Sequence, residues 1–226
     1  MSIKTITDSA TNHGDSELER VDYLDGWRGL AIALVLQRHF FDVRWGSFGQ
    51  LGVDVFFCLS GLLMSRILFV KRTPLNIFYK RRISRILPSF FLYICVIYGY
   101  AYVTGNPLGW RDFISALTFL RSYYPQTPEI FSTGYPIGHI WSLNVEEHCY
   151  VLLSLFTLWR FMKGREAFLL IALGSASIGI RLLYDFVPEY EPQTSSWVRT
   201  EATSSFLLIS AGYALISKQV APFVKP

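Results

Sequence analysis

Arg28 and His39 stand eleven residues apart in the stretch YLDGWRGLAIALVLQRHF, residues 23–40. At 100° per residue that spacing closes to within about 20° after three turns, so a helix would align both side chains on one stripe, roughly 16 Å apart along its axis. Asp25 lies one turn before Arg28 on nearly the same stripe. Imidazole is the side chain whose ordinary pKa lies near neutrality, so in a polar cavity His39 is a candidate general base beside the fixed charge of Arg28. A second set is HIWSLNVEEHCY, residues 139–150, where helical spacing puts His139, Ser142, Glu146 and Cys149 on one face. A carboxylate such as Glu146 inside a bundle needs a partner, which a histidine or arginine of the first helix would supply. A third set is Arg82 and Arg85, three apart near a helix start, whose guanidinium groups can grip the phosphates of a soluble cofactor.

Each set also has a plainer account. Asp25 and Arg28 can snorkel to headgroups, with His39 at the far interface. Carboxylates in a first helical turn favour the positive end of the helix dipole, which would explain Glu146 and Glu147 without catalysis. Basic residues between apolar spans mark the cytoplasmic side. The residues alone leave both accounts open.

The elements that must carry these groups are apolar. The 226 residues are 51% hydrophobic and 16% aromatic, with mean hydropathy +0.31 and 17% charged residues, against about 25% charged in a soluble domain. A spanning helix needs about 20 mostly apolar residues, and the candidates are 51–70, 86–103, 140–162, 167–187, 203–217 and the charged segment 24–41. FISALTFL, 113–120, is too short to span and reads as an interfacial or re-entrant helix. The expected fold is therefore all-α: a polytopic membrane helix bundle of about six spans. The polar stretch 1–22 and the tail 218–226 flank a membrane domain over 23–217. Positive charge concentrates in the loop 71–85, and even-numbered crossing then puts both termini in the cytoplasm of a cell whose plasma membrane holds the bundle. The net charge of +4 is scattered between apolar spans, which argues against nucleic acid as a partner. Cys58, Cys95 and Cys149 all lie in apolar stretches without metal-ligand spacing, so neither a metal site nor a structural disulfide is expected.

Taken together, these motifs resemble acyltransferase family 3, the integral-membrane O-acyltransferases that decorate glycans. LDGWRGLAIALVLQRHF resembles the family's first helix with its Arg-x10-His pattern, met by Arg28 and His39. GQLGVDVFFCLSGLLMSRIL resembles its second helix, FYKRRISRILPSFFLYI its basic turn and third helix, and HIWSLNVEEHCYVLL its H-x-WSLxVEEQFYLL block. The resemblance covers residues 24 to about 160. It implies acyl-CoA, usually acetyl-CoA, as a cytoplasmic donor substrate, a carbohydrate hydroxyl as acceptor, and no metal. By motif, His39 would be the base, Arg28 would set the electrostatics of the cavity, Glu146 would orient or balance His39, and Arg82 and Arg85 would bind the CoA phosphates. VEEHCY stands where the family has VEEQFY. Family members have about ten spanning helices, so the missing walls would come from another chain, or the protein would be a truncated non-catalytic paralogue that binds a membrane partner. A transporter would show paired repeats and broken helices in both halves, and the sequence shows neither.

Overall fold

The computed structural model describes residues 22–40, 48–105, 108–124, 134–159, 164–187 and 196–220. The described residues form helices and no strand. They are α1 (Asp22–Phe40), α2 (Gly49–Ser65), α3 (Leu75–Val103), α4 (Trp110–Leu117), α5 (Ile140–Leu158), α6 (Glu166–Phe186), α7 (Thr200–Thr203) and α8 (Ser205–Val220). The expected all-α membrane bundle is what forms. Gly49–Val70, Leu75–Val103 and Glu166–Phe186 are long and apolar enough to cross a membrane. α1 and α5 have the length but carry the charged groups of interest, and α8 is apolar over Ser205–Ser217.

The start of one helix departs well from the sequence reading. The basic segment 71–85 is mostly not a loop: α3 begins at Leu75, so Lys80, Arg81, Arg82 and Arg85 ride on the second and third turns of a 29-residue helix. Pro74 sets the start of that helix, its fixed φ of −54° suiting the entry. α5 begins at Ile140, and its first turn holds no acidic residue. Glu146 and Glu147 therefore sit in the second turn, where the helix-dipole account no longer explains them, since the effect fades beyond the first turn. α4 is the expected short helix, eight residues long, with Ser115 and Ala116 buried and Trp110 exposed.

Packing turns on small residues, as it must where lipid gives no hydrophobic drive between helices. α1 runs antiparallel along α2, with Gly49 against the Arg38 side chain and Gly52 against Ala31, Leu34 and Val35. α2 and α8 meet at Gly61, where a Cβ would overlap the Leu207 carbonyl oxygen and the Ser210 hydroxyl. α6 and α8 meet at Gly174, where a Cβ would stand 2.6 Å from Ile209 Cγ1 and 3.1 Å from its backbone nitrogen. α5 runs through the middle: Trp141, Val145, Tyr150 and Leu153 join Phe57 and Met64 of α2, Leu170 of α6 and Leu207 of α8 in the main core. A second core joins Phe90 and Ile94 of α3 to Ala116 of α4 and Ile137.

One end of the bundle carries Lys71, Arg72, Lys80 and Arg81. The opposite end carries the C-terminus of α1, α4 and α7, with Tyr100, Tyr102, Trp110 and Tyr124 exposed around it like an interfacial belt.

The close α2–α8 contact makes a direct expectation. Gly61→Leu forces two backbones apart and should cost about 1–3 kcal/mol, the usual range for overpacking. Thermal unfolding in detergent should show the loss, and Gly179→Leu, where a Cβ meets nothing within 4 Å, should not.

Candidate active site

The polar interior is built between α2, α3 and α5. Glu146 is 7% exposed, and its Oε1 accepts hydrogen bonds from the hydroxyls of Ser60 and Tyr150. Ser60 lies midway along the 22-residue span Gly49–Val70, so Glu146 sits near the middle of the apolar layer. A charge there costs about 2.5–3.5 kcal/mol even on the lenient scale, and two hydroxyl donors offset part of that.

Glu147, next along α5, pairs with Arg82 of α3. The Nη2–Oε1 distance is 2.9 Å, and Nε lies 3.0 and 3.3 Å from the two carboxylate oxygens. The same guanidinium lies 3.4 Å from the centroid of the Tyr150 ring. Tyr150 therefore joins the two carboxylates: its face holds Arg82 and its hydroxyl holds Glu146. One turn further, Tyr79 Oη and Ser154 Oγ are 2.6 Å apart, completing a polar ladder between α3 and α5.

Arg85 takes another direction. It is exposed and, among the described residues, makes no hydrogen bond or ion pair. With Ser89, Tyr93, His139 and Ser142 it lines a cavity of about 360 Å³ between α3 and α5. The rings of Tyr93 and His139 meet edge to face at 5.5 Å, and the Tyr93 hydroxyl donates to the Pro136 carbonyl.

Arg28 pairs with Asp25 one turn away at 3.0 Å, both side chains more than a third exposed. This is the close pair that the spacing suggested. His39 is in the last turn of α1, and its side chain lies outside the described residues. The backbone register still bears on it. Gly49 packs on Arg38, whereas Ser60, which holds Glu146, is eleven residues further along α2, about 16 Å at 1.5 Å per residue. The structure thus brings Glu146 to Ser60, Tyr150 and the Arg82 face, and leaves it far in level from the end of α1. About three turns of α2 lie between the two levels; the expected contact of Glu146 with His39 falls on a side chain outside the described residues.

Ser60 has one proton, and Glu146 takes it. Asn144 is fully buried and donates to Ser122 Oγ at 3.3 Å, while its Oδ1 has no hydrogen-bond partner among the described residues.

A second polar cluster was not singled out in the sequence. His148 Nδ1 is 2.7 Å from Thr200 Oγ1. Tyr123 Oη donates to Glu201 at 2.6 Å and accepts from the Thr200 amide at 3.1 Å, and Arg199 Nε lies 2.5 Å from Glu201. These bonds tie the segment after α4, the middle of α5, and α7. Position 148 is where this chain departs from the glutamine of the VEEQFY pattern, and that departure was the available signal.

With the geometry in place, the relatives can be set beside it. The model of the acyltransferase domain matches residues 21–223. The chain belongs to acyltransferase family 3. This acyltransferase domain is 31% identical over 179 residues to the O-acetyltransferase OatA of Staphylococcus aureus (strain NCTC 8325 / PS 47), covering 73% of the chain and 30% of that protein. It is 28% identical over 194 residues to the peptidoglycan O-acetyltransferase OatA of Listeria monocytogenes, covering 76% of the chain and 30% of that protein. It is 28% identical over 211 residues to the putative peptidoglycan O-acetyltransferase YrhL of Bacillus subtilis, covering 85% of the chain and 33% of that protein. The chain thus spans about a third of the length of these curated relatives. No solved structure matches it.

Two measurements follow from these contacts. Glu147→Ala leaves the Arg82 charge buried without its partner and should destabilise the domain by about 3–5 kcal/mol, whereas Arg82→Met with Glu147→Leu should recover most of it. Thermal unfolding of the single and double variants checks this. The second measurement concerns pH. Burial pushes the Tyr123 hydroxyl up to about 12, helped by its bond to Glu201. Burial also acts to raise Glu201, but bonds from Tyr123 and Arg199 outweigh it and leave that carboxyl below its ordinary value. A lowered carboxylate contributes stability above its unfolded pKa of about 4.3 and loses it as pH falls through the folded value. A raised phenol contributes below about 10 and loses it as pH rises towards its folded value. The α7 contact should therefore hold best between about pH 5 and pH 10. Tyrosinate absorbance in wild type and Tyr123→Phe reads the upper limb.

Proposed function

We propose that this domain moves an acyl group, acetyl by preference, from acyl-CoA to a hydroxyl of a cell-surface carbohydrate. The match to the acyltransferase domain over residues 21–223 carries the reading, together with relatives named as O-acetyltransferases. Peptidoglycan, the polymer in the names of the Listeria and Bacillus relatives, is the first acceptor to try. The basic end, with Lys71, Arg72, Lys80 and Arg81, faces the cytoplasm of a cell whose plasma membrane holds the bundle, and both termini lie on that side.

In this reading His39 takes the proton of the acceptor hydroxyl as its oxygen attacks the thioester carbonyl. The tetrahedral intermediate then collapses, the C–S bond breaks, and the CoA thiolate leaves and is protonated. The thioester is already activated, so the base is the group the reaction most needs, worth typically 10²–10⁴-fold. Arg28 and Asp25 set the electrostatics at the cytoplasmic end of α1. Arg85 contributes an available guanidinium to the CoA phosphates. Arg82 contributes only by exchanging some of its hold on Glu147, which makes the Glu147–Tyr150 face a gauge of donor binding. Glu146 supports that face by fixing the Tyr150 hydroxyl.

Membranes carrying the full chain, given acetyl-CoA and a peptidoglycan fragment, should release free CoA. His39→Ala should lower that release by about 10²–10⁴-fold with insertion unchanged. Full activity of the variant sinks the base assignment. No release from correctly inserted wild-type protein, with acceptor confirmed present, favours the non-catalytic binding paralogue.

A further inference from the structure

A cavity of about 1020 Å³ opens between α2, α6 and α8 at the end of the bundle remote from the basic residues, and the tip of α1 reaches it. None of the groups assigned above to donor binding lines it. Its walls are graded. Arg38, Gln50, Asp54, Arg181 and Asp185 ring the outer end. Along α2 the lining then falls through Cys58 to Leu62, one residue per turn. Deeper, Ile178, Phe206 and Ile209 complete an apolar wall, and the rings of Trp197 and Tyr213 flank the space.

The polar ring has hydrogen-bonding capacity to spare. Asp54 accepts one described hydrogen bond, from Gln50 at 3.1 Å, against about four lone-pair sites on a carboxylate. Arg181 gives only its Nε to Asp185, at 2.9 Å, so its four terminal N–H donors are uncommitted among the described residues. Asp185 also accepts from Ser196 at 3.2 Å, which fixes it in place. Two arginines and two aspartates sum to no net charge. A ring of mixed donors and acceptors with zero net charge complements a neutral polyhydroxyl group better than an ion. The apolar wall below it complements a hydrocarbon chain.

We infer that this cavity binds the carbohydrate acceptor, and that the acceptor enters as a saccharide carried on an apolar chain, its sugar held by Gln50, Asp54 and Arg181 and its chain lying along Leu62, Ile178 and Ile209. The inference rests on the O-acyltransferase reading for the word acceptor, but occupancy of the cavity does not require turnover. The site adjoins the last turn of α1, which carries His39. Sugar and base thus share one end of the bundle, and the donor side lies at the other.

The test uses the full chain in lipid nanodiscs and a photoreactive alkyl disaccharide, with adducts mapped by mass spectrometry. Adducts are expected on the α2 segment Gln50–Leu62 and on α6 near Arg181. The unlabelled alkyl disaccharide should displace the probe, and the free disaccharide or an alkyl phosphocholine of equal chain length should need about tenfold more or worse. Asp54→Asn with Arg181→Gln should lower the adduct yield about tenfold, the size of one lost hydrogen bond to a charged group.

Adducts elsewhere overturn the site. Equal displacement by alkyl phosphocholine, with no effect of the double variant, shows a lipid groove and also overturns it. Equal displacement by the free disaccharide overturns the apolar-chain requirement. CoA release with adducts elsewhere leaves the enzymatic reading standing and removes only the cavity, whereas mapped adducts without any CoA release keep the cavity and remove the enzymatic reading.

Discussion

Burying charge in an apolar layer is the constraint on which the rest of this fold depends. Glu146, Glu147 and Arg82 all sit in helices that pass through the membrane domain, and none could stand alone there at tolerable cost. Tyr150 resolves the difficulty for all three, since its hydroxyl reaches Glu146 while its ring face carries the Arg82 guanidinium. Ser60 brings in α2, and Glu147 ties α5 to α3. Three helices are thereby fixed in register by polar bonds that lipid cannot compete for. Such bonds specify an arrangement more than they add net stability, because the desolvation cost of each charge offsets much of the Coulomb gain.

Around that centre, close packing depends on the absence of side chains. Gly61 and Gly174 let α8 approach α2 and α6 until backbone atoms touch. The approach brings α8 and α7 beside the outer halves of α2 and α6, which creates the cavity ringed by Asp54 and Arg181. The same packing carries Thr200 to His148 and Glu201 to Tyr123. Small residues on two helices thus place two polar clusters that share no sequence neighbourhood.

The two ends of the bundle differ chemically. Arginines and lysines crowd one end, where α3 begins. A net-neutral ring of arginine, aspartate and glutamine occupies the other, where α1 ends. Between them α5 runs as the shared inner wall, buried along most of its length.

The all-α membrane class, the helices and the charged stripe of the first were legible because hydropathy and helical periodicity are local. So was the Asp25–Arg28 pair, which needs one helical turn. The four motifs also sufficed to point to the family. The partnerships were not legible. Arg82 with Glu147 joins residues 65 apart and Ser60 with Glu146 joins residues 86 apart, and the helix period only says which residues share a face, never which face meets which. The start of α3 was misjudged because charge was read as loop, although exposed lysine and arginine are good helix formers. Composition and period determined that this chain is a bundle of membrane helices with ionisable groups inside. Only the tertiary structure decided which of those groups meet, because helix register is set by contacts between residues that the sequence keeps far apart.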